Sequence, residues 1–126
     1  MVAASLTRPV ELSPQPTVAR RELARLLGDA SWDGDVEAVV LAVHEAMVNA
    51  HRHAGGVKRA TASFEGGTVV VEITDGGQGF GIPDSGDMPD ISAERGRGLF
   101  LISQLAADAR VARSGQDVRL LLRFDS

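Results

Sequence analysis

Cysteine and tyrosine are absent from this 126-residue chain, and it has a single tryptophan. The lack of cysteine excludes disulfide bonds and thiolate metal sites, and it favours a reducing compartment. An aromatic content of 4% leaves few side chains on which nucleic acid bases could stack. We therefore expect neither a disulfide-stabilised secreted domain nor a protein that binds single-stranded nucleic acid.

A basic surface is also lacking, because the formal net charge is −4. This balance gives no long-range attraction to nucleic acid or to an anionic membrane. No hydrophobic run is long enough to span a bilayer. Residues 1–9 hold no apolar segment behind a basic one, so we expect no signal peptide there. A hydrophobic fraction of 44% is ordinary for a globular protein. We expect one cytoplasmic domain over residues 1–126 that contacts neither nucleic acid nor membrane.

What the chain does contain is a pattern of short strands and helices. Pro9 restricts the first strand to a sheet edge, Thr17 is placed to cap the first helix, and Gly66-Gly67 predicts a hairpin turn. The expected elements, in chain order, are a strand at 5–12, helices at 17–28 and 36–54, strands at 59–65 and 68–75, a helix at about 98–107, and strands at 109–113 and 118–124. This order predicts an α+β, two-layer sandwich in which helices cover one face of a mostly antiparallel sheet.

The second predicted helix carries Glu45 and Asn49 one turn apart on the same side. A helical wheel places the apolar stripe on the opposite side, at Val36, Val40, Val43, Met47, Ala50 and Ala54. The neighbours of the polar pair are uncharged, so we expect the pair to face a cleft. A carboxylate there could act as a general base, and the asparagine carbonyl oxygen suits Mg²⁺. The alternative is a surface glutamate beside a locally bonded asparagine.

An acid leads into a glycine cluster at the end of the predicted hairpin, where Asp75 precedes Gly76, Gly77 and Gly79. A carboxylate accepts hydrogen bonds and could recognise an exocyclic amino group such as adenine N6. Glycines allow the backbone to approach a flat ring without a Cβ clash. The alternative is an aspartate that simply ends a strand in a turn.

A second glycine cluster, Gly96-Arg97-Gly98-Leu99, precedes the third predicted helix. Free N–H groups at a helix start bind phosphate well, and Arg95 or Arg97 could add charge-assisted hydrogen bonds. The alternative is a flexible turn into a buried helix.

In this order and spacing, the motifs resemble those of the GHKL superfamily of ATP-binding proteins, which share the Bergerat fold. The chain is most similar to the small stand-alone serine kinases of the anti-sigma factor type, and the resemblance covers nearly its whole length. The matching residues are Glu45 and Asn49 in the N box, Asp75, Gly77 and Gly79 in the first glycine box, and Gly96, Gly98 and Leu99 in the second.

The resemblance implies roles for these residues. Glu45 would be the catalytic base, Asn49 the Mg²⁺ ligand, and Asp75 the acid that recognises adenine. Residues 81–95 would form a lid over ATP. One departure is visible, because Ser114-Gly115-Gln116 stands where such proteins often carry a Gly-Thr pair, so a threonine contact to the nucleotide is not carried over.

Further nucleotide contacts are expected at His53, four residues after Asn49, and at the glycine-box residues. The two arginines, Arg95 and Arg97, would lie near the phosphates.

The resemblance therefore implies a serine/threonine protein kinase that uses ATP and Mg²⁺. Its expected substrate is a serine on an anti-anti-sigma (STAS-type) protein, its second partner is a sigma factor, and homodimer formation is left open. Two alternatives remain. One is a non-catalytic module in which ATP only changes partner affinity, and the other is a switch protein of the same fold that activates a phosphatase.

Overall fold

The computed structural model describes residues 8–53, 55–76 and 94–126, and for residues 53, 94–99 and 114 it describes the backbone alone. The elements are β1 (Val10–Leu12), α1 (Pro16–Asp29), α2 (Val36–His53), β2 (Val57–Glu65), β3 (Thr68–Asp75), α3 (Glu94–Leu105), β4 (Asp108–Ser114) and β5 (Asp117–Phe124). Residues 5–7 of the predicted first strand lie outside the described residues. No helix in the described part of the chain is long and apolar enough to cross a bilayer.

The five strands form one antiparallel sheet in the order β1-β2-β3-β5-β4. Every second side chain of β3 and β5 is buried, so one face of the sheet packs on the helices and the other is open. The largest fully buried side chains of the shared core are Phe64, Leu23, Leu27, Met47, Ile73, Ile102, Leu120 and Leu122. The predicted α+β sandwich is confirmed.

Helix α2 lies over the centre of the sheet, between the other two helices. It contacts β2 and β3, whereas α1 contacts β1 and α3 contacts β4. Since β1 and β4 are the two edge strands, α1 and α3 flank α2 on opposite sides, and α2 contacts both.

The start of α1 differs from the prediction. Pro16 occupies its first turn, Gln15 is the N-cap without a side-chain cap bond, and Thr17 lies inside the helix. Proline suits this position because it has no N–H to satisfy and its φ is already helical. The predicted threonine cap is therefore wrong.

Both ends of α2 follow the local sequence signals. The Ala38 N–H donates to Asp35 Oδ1 at 3.1 Å, which caps the first turn. Gly55 and Gly56 have φ values of 79° and 120°, and the Gly56 N–H donates to Ala50 O at 3.0 Å. Only glycine adopts such backbone angles without strain, so the glycine pair ends the helix.

Candidate functional site

Asn49 lies inside the protein and not opposite the core. Its side chain is 5% exposed, and those of Ala42 and Ala46 on the same flank of α2 are fully buried. Glu45 is half-buried at the edge of this flank, whereas Leu41 is 40% exposed. Of the predicted apolar stripe, Val40, Val43, Met47 and Ala50 are buried, Val36 is half-buried, and Ala54 lies outside the described residues. The buried arc is wider than this stripe, because α2 is covered by a helix on each side. The prediction that Asn49 lies opposite the core is therefore wrong.

The flank that carries Asn49 faces away from α1. His51 Nε2 lies 3.2 Å from the backbone oxygen of Pro14, just ahead of α1, which places His51 on the α1 side. Asn49 is about 160° from His51 around the helix axis. It therefore lies on the side of α2 where α3 packs.

The Asn49 amide has hydrogen-bonding capacity that the described residues do not use. Its Nδ2 atom is buried and has no hydrogen-bond partner among them. A buried polar group left unsatisfied costs about 1–3 kcal/mol. A flip of the amide exchanges Nδ2 and Oδ1, so this end can present either a donor or an oxygen ligand. The side chain thus fits a site that a ligand or a cation completes.

Residues 8–53, 55–76 and 94–126 contain no group of three or more His, Cys, Asp or Glu side chains that could hold a metal ion. Mg²⁺ needs few protein ligands when phosphate oxygens and water fill its shell. Asn49 alone is compatible with Mg²⁺ bound to a nucleotide.

Asp75 is a fully buried carboxylate at the end of β3. Its Cα partners are Val57 on β2 and Val118 on β5, and its side chain lies on the helix-facing side together with that of Ile73. Aspartate is almost never fully buried outside paired networks and functional sites. Its burial is compatible with either of these environments.

The ends of α2 and β3 meet at the same end of the domain. Helix α2 ends at His53, and β2 begins four residues later at Val57, which is the direct partner of Asp75. Asn49 lies in the last turns of α2. The first two motifs are therefore close in space although they are far apart in sequence.

Helix α3 brings the third motif to this end. Its last residue, Leu105, and the following Ala106 line a cavity of about 200 Å³ with Asp35 and Ala38 at the start of α2. The two helices thus run antiparallel, and α3 begins near the end of α2. Its 12 residues rise about 18 Å, which is shorter than the strands of seven and eight residues beneath it.

Helix α3 begins at Glu94, one turn before the predicted start near Gly98. Arg95, Gly96 and Arg97 are therefore in its first turn and not in a turn that precedes it. Glutamate and arginine favour helix, but each glycine costs about 1 kcal/mol, so local preference alone does not fix this start. The N–H groups without helical partners are those of this first turn.

Several predicted site features lie outside the described residues. These are Gly77, Gly79, lid residues 81–93 and the side chains of His53, Arg95, Arg97 and Leu99. Their assigned roles stay predictions.

One feature next to Asp75 has no signal in the sequence pattern. The pairing of β2 with β3 is irregular between Val57 and Arg59, so Lys58 occupies a β-bulge beside Asp75. Bulges are frequent next to active sites, but a lysine just ahead of the predicted strand at 59–65 does not reveal one.

Comparison with known sequences decides the family. The family model described as the histidine kinase-like ATPase domain matches residues 10–124. The chain belongs to this family. Membership implies that this histidine kinase-like ATPase domain binds ATP, and it confirms the resemblance to the GHKL proteins at the family level. No curated protein matches the chain at a significant level.

Among solved structures, this histidine kinase-like ATPase domain is similar to the RsbU and RsbW domains of Rv1364c from Mycobacterium tuberculosis, with a TM-score of 0.65 and 20% identity. The match covers 94% of the present chain and 32% of the Rv1364c chain. The present chain therefore spans about a third of the length of the solved structure that it matches. At this identity the similarity supports the fold alone.

Proposed function

We propose that this ATPase-family domain is a serine/threonine protein kinase of the anti-sigma factor type. The observation that carries the proposal is the convergence of Asn49, Asp75 and the first turn of α3 at one end of the domain. These three positions belong to separate elements, and only the folded chain brings them together.

ATP and Mg²⁺ fit the residues at this end. Asp75 would accept a hydrogen bond from the adenine amino group, and Asn49 would provide an oxygen ligand to Mg²⁺. The N–H groups of the first turn of α3, with Arg95 and Arg97, would bind the phosphates. When bound, Mg²⁺ neutralises phosphate charge and orients the γ-phosphoryl group.

Glu45 is the proposed general base. It is half-buried, one turn before Asn49, at the boundary between the buried flank of α2 and solvent. A serine hydroxyl from a protein partner could reach this boundary from outside. The hydroxyl oxygen bonds to the γ-phosphorus, the bond to the β-phosphate oxygen breaks, ADP leaves, and the Glu45 carboxylate takes the hydroxyl proton.

The proposed partners are a STAS-type anti-anti-sigma protein, which carries the substrate serine, and a sigma factor held inactive. The motif set of Glu45, Asn49 and Asp75 supports this assignment, and so does the fold shared with the RsbU and RsbW domain structure. The net charge of −4 fits protein partners better than nucleic acid or membrane.

The deciding experiment combines partner capture with phosphate transfer. Partners captured by the tagged chain from its native cell, with and without ATP, are identified by mass spectrometry and purified. We expect γ-phosphate transfer from labelled ATP to a partner serine by the wild-type chain. ATP-dependent capture without any transfer would instead support the non-catalytic module. Stimulation of a captured phosphatase would support the activating switch protein.

A further inference from the structure

The β-bulge at Lys58 turns a lysine side chain away from the buried face of the sheet. In the register, Val57 pairs with Asp75 and Arg59 pairs with Thr74, so Lys58 is the extra residue. Strict alternation would direct Lys58 to the helix-facing side, next to Asp75. A bulge redirects a side chain in this way, and here the lysine ammonium lies on the open face.

On the open face, Lys58 forms an ion pair across the end of β3. Its Nζ donates to Asp117 Oδ1 at 2.8 Å. Asp117 precedes Val118, whose side chain is buried, so Asp117 lies on the open side of β5. Strand β3 lies between β2 and β5. The ion pair therefore joins β2 to β5 across the open face of the sheet, over the residue that follows Asp75 on β3.

That residue is Gly76, and the lysine side chain fills the space a side chain would occupy there. A Cβ built on Gly76 would lie 2.9 Å from Lys58 Cδ and 3.5 Å from its Cε and Nζ. The aliphatic part of Lys58 thus packs against the Gly76 backbone, on the face of the sheet opposite the Asp75 carboxylate.

We propose that Lys58 and Asp117 are positioning residues for the nucleotide base, because their ion pair supports the backbone at Gly76 and so holds the Asp75 carboxylate in place. This inference rests on the proposed function, since it assigns the pair a role in ATP binding. Neither residue touches the helix-facing side of the sheet, so both act through Asp75.

The test uses Lys58→Met, which keeps the aliphatic chain and removes the ammonium, and Asp117→Asn. The exchanged pair, Lys58→Asp with Asp117→Lys, is the rescue variant. Arg59→Met is the matched control. Arg59 follows Lys58 on β2, and its exposed ion pair with Glu11 on β1 lies away from Gly76. Affinities for ATP and GTP are measured by calorimetry, and amide exchange at Gly76 is measured by NMR without nucleotide.

We expect each single variant to weaken ATP binding about two- to fivefold and to speed Gly76 exchange by a similar factor, the range for an exposed ion pair. GTP affinity should not change, because the ion pair is proposed to position Asp75, which would contact the adenine amino group. A general loosening of the domain would instead weaken the binding of both nucleotides. The exchanged pair should restore both readouts, and Arg59→Met should alter neither.

The two proposals fail in different ways. If the wild-type chain binds no ATP, the proposed function and this inference are both overturned. If it binds ATP and the Lys58 and Asp117 variants match Arg59→Met in both readouts, the positioning role is wrong while the proposed function stands. Equal losses for ATP and GTP would also overturn the positioning role.

Discussion

At the scale of single residues, the candidate site contains two polar side chains, Asn49 and Asp75, at buried positions whose neighbours are mostly apolar. Asn49 is 5% exposed and Asp75 is fully buried, and both adjoin a core of valine, isoleucine, leucine and alanine. Burial of such groups is unfavourable unless hydrogen bonds or a ligand compensate for lost hydration. Substitutions at these positions should therefore alter ligand binding more than changes at exposed polar residues.

Asp75→Asn should weaken ATP binding about 10- to 100-fold, which corresponds to the loss of a hydrogen bond to a charged group. The amide can present a donor to the adenine amino group, which is itself a donor. Calorimetry with ATP and GTP measures the effect, and we expect a much smaller loss for GTP. Glu72→Gln is the control, because Glu72 lies on the open side of the same strand and pairs with Arg119. Equal losses for both nucleotides would remove Asp75 from base recognition.

Glu45→Ala should separate binding from catalysis. ATP affinity should stay nearly unchanged, whereas single-turnover transfer to the partner serine should fall by about 10²–10⁴, the range for loss of a general base. Glu37→Ala, in the exposed first turn of the same helix, is the control. Transfer at the wild-type rate by the Glu45 variant would contradict the kinase mechanism.

Asn49→Ala should have the complementary effect to Glu45→Ala, because Asn49 is the proposed metal ligand and not the proposed base. ATP affinity should fall in the presence of Mg²⁺ and change little when Mg²⁺ is chelated. Titrations under both conditions measure the difference. An identical loss with and without Mg²⁺ would show that Asn49 contacts the nucleotide and not the ion.

At the scale of elements, the connection between α1 and α2 is anchored by the single tryptophan. The Trp32 Nε1–H donates to Gly67 O at 2.8 Å, which joins this connection to the turn between β2 and β3. The ring is 8% exposed and lies against Gly34, where a Cβ would come within 2.1 Å of Cη2. Glycine at position 34 thus allows the indole to pack and to reach the hairpin.

Gly34→Ala should destabilise the domain by about 1–3 kcal/mol, because the indole must move and its hydrogen bond is strained or lost. For a domain of this size, each kcal/mol lowers Tm by about 3–5 °C. Calorimetry measures Tm, and tryptophan fluorescence should shift to longer wavelength as the ring becomes exposed.

Gly28→Ala is the matched control for Gly34→Ala. Residue 28 is helical and an added Cβ there would meet no atom within 4 Å. This change should be neutral or should stabilise the domain by about 0.5–1 kcal/mol. If Gly34→Ala were equally well tolerated, the packing of the indole against Gly34 would be unimportant for stability.

At the scale of the whole molecule, the sheet separates the side that carries the candidate site from a solvated side. The open face carries exposed ion pairs, among them Arg59 with Glu11 and Arg119 with Glu72. The side-chain hydrogen bond and the charge of Glu11 raise the pKa of Arg59 above its ordinary value, so it stays charged. Exposed pairs contribute little stability, and their main effect is to keep this face polar.

Because the candidate site is assembled from α2, β3 and α3, only the folded chain should bind nucleotide. ATP with Mg²⁺ at about 100 times its Kd should add about 2.7 kcal/mol to the free energy of unfolding and raise Tm accordingly. Thermal melts with ATP and ADP, each with Mg²⁺ and with a chelator, measure the shift. The absence of any shift at millimolar nucleotide would refute ATP binding and the proposed function with it.

The elements and their order could be predicted from the sequence because their signals are local. Asp35 satisfies an N–H of the next turn, and the positive φ values at Gly55, Gly56 and Gly66 need no tertiary partner. Alternating hydrophobic residues in β3 and β5 depend only on the two-residue repeat of a strand. The identities of Glu45, Asn49 and Asp75 as candidate site residues likewise came from their spacing.

Tertiary packing decided the burial and the neighbours of those residues. A helical wheel assumes one buried side, so it could not predict that α3 covers the flank of α2 that carries Asn49. The start of α3 at Glu94 and the bulge at Lys58 depend on neighbouring elements. The local preference for helix over turn, or for a regular strand over a bulge, is only about 1 kcal/mol. The meeting of the three motifs arises from strand order and antiparallel helix packing, which are contacts between residues distant in the chain.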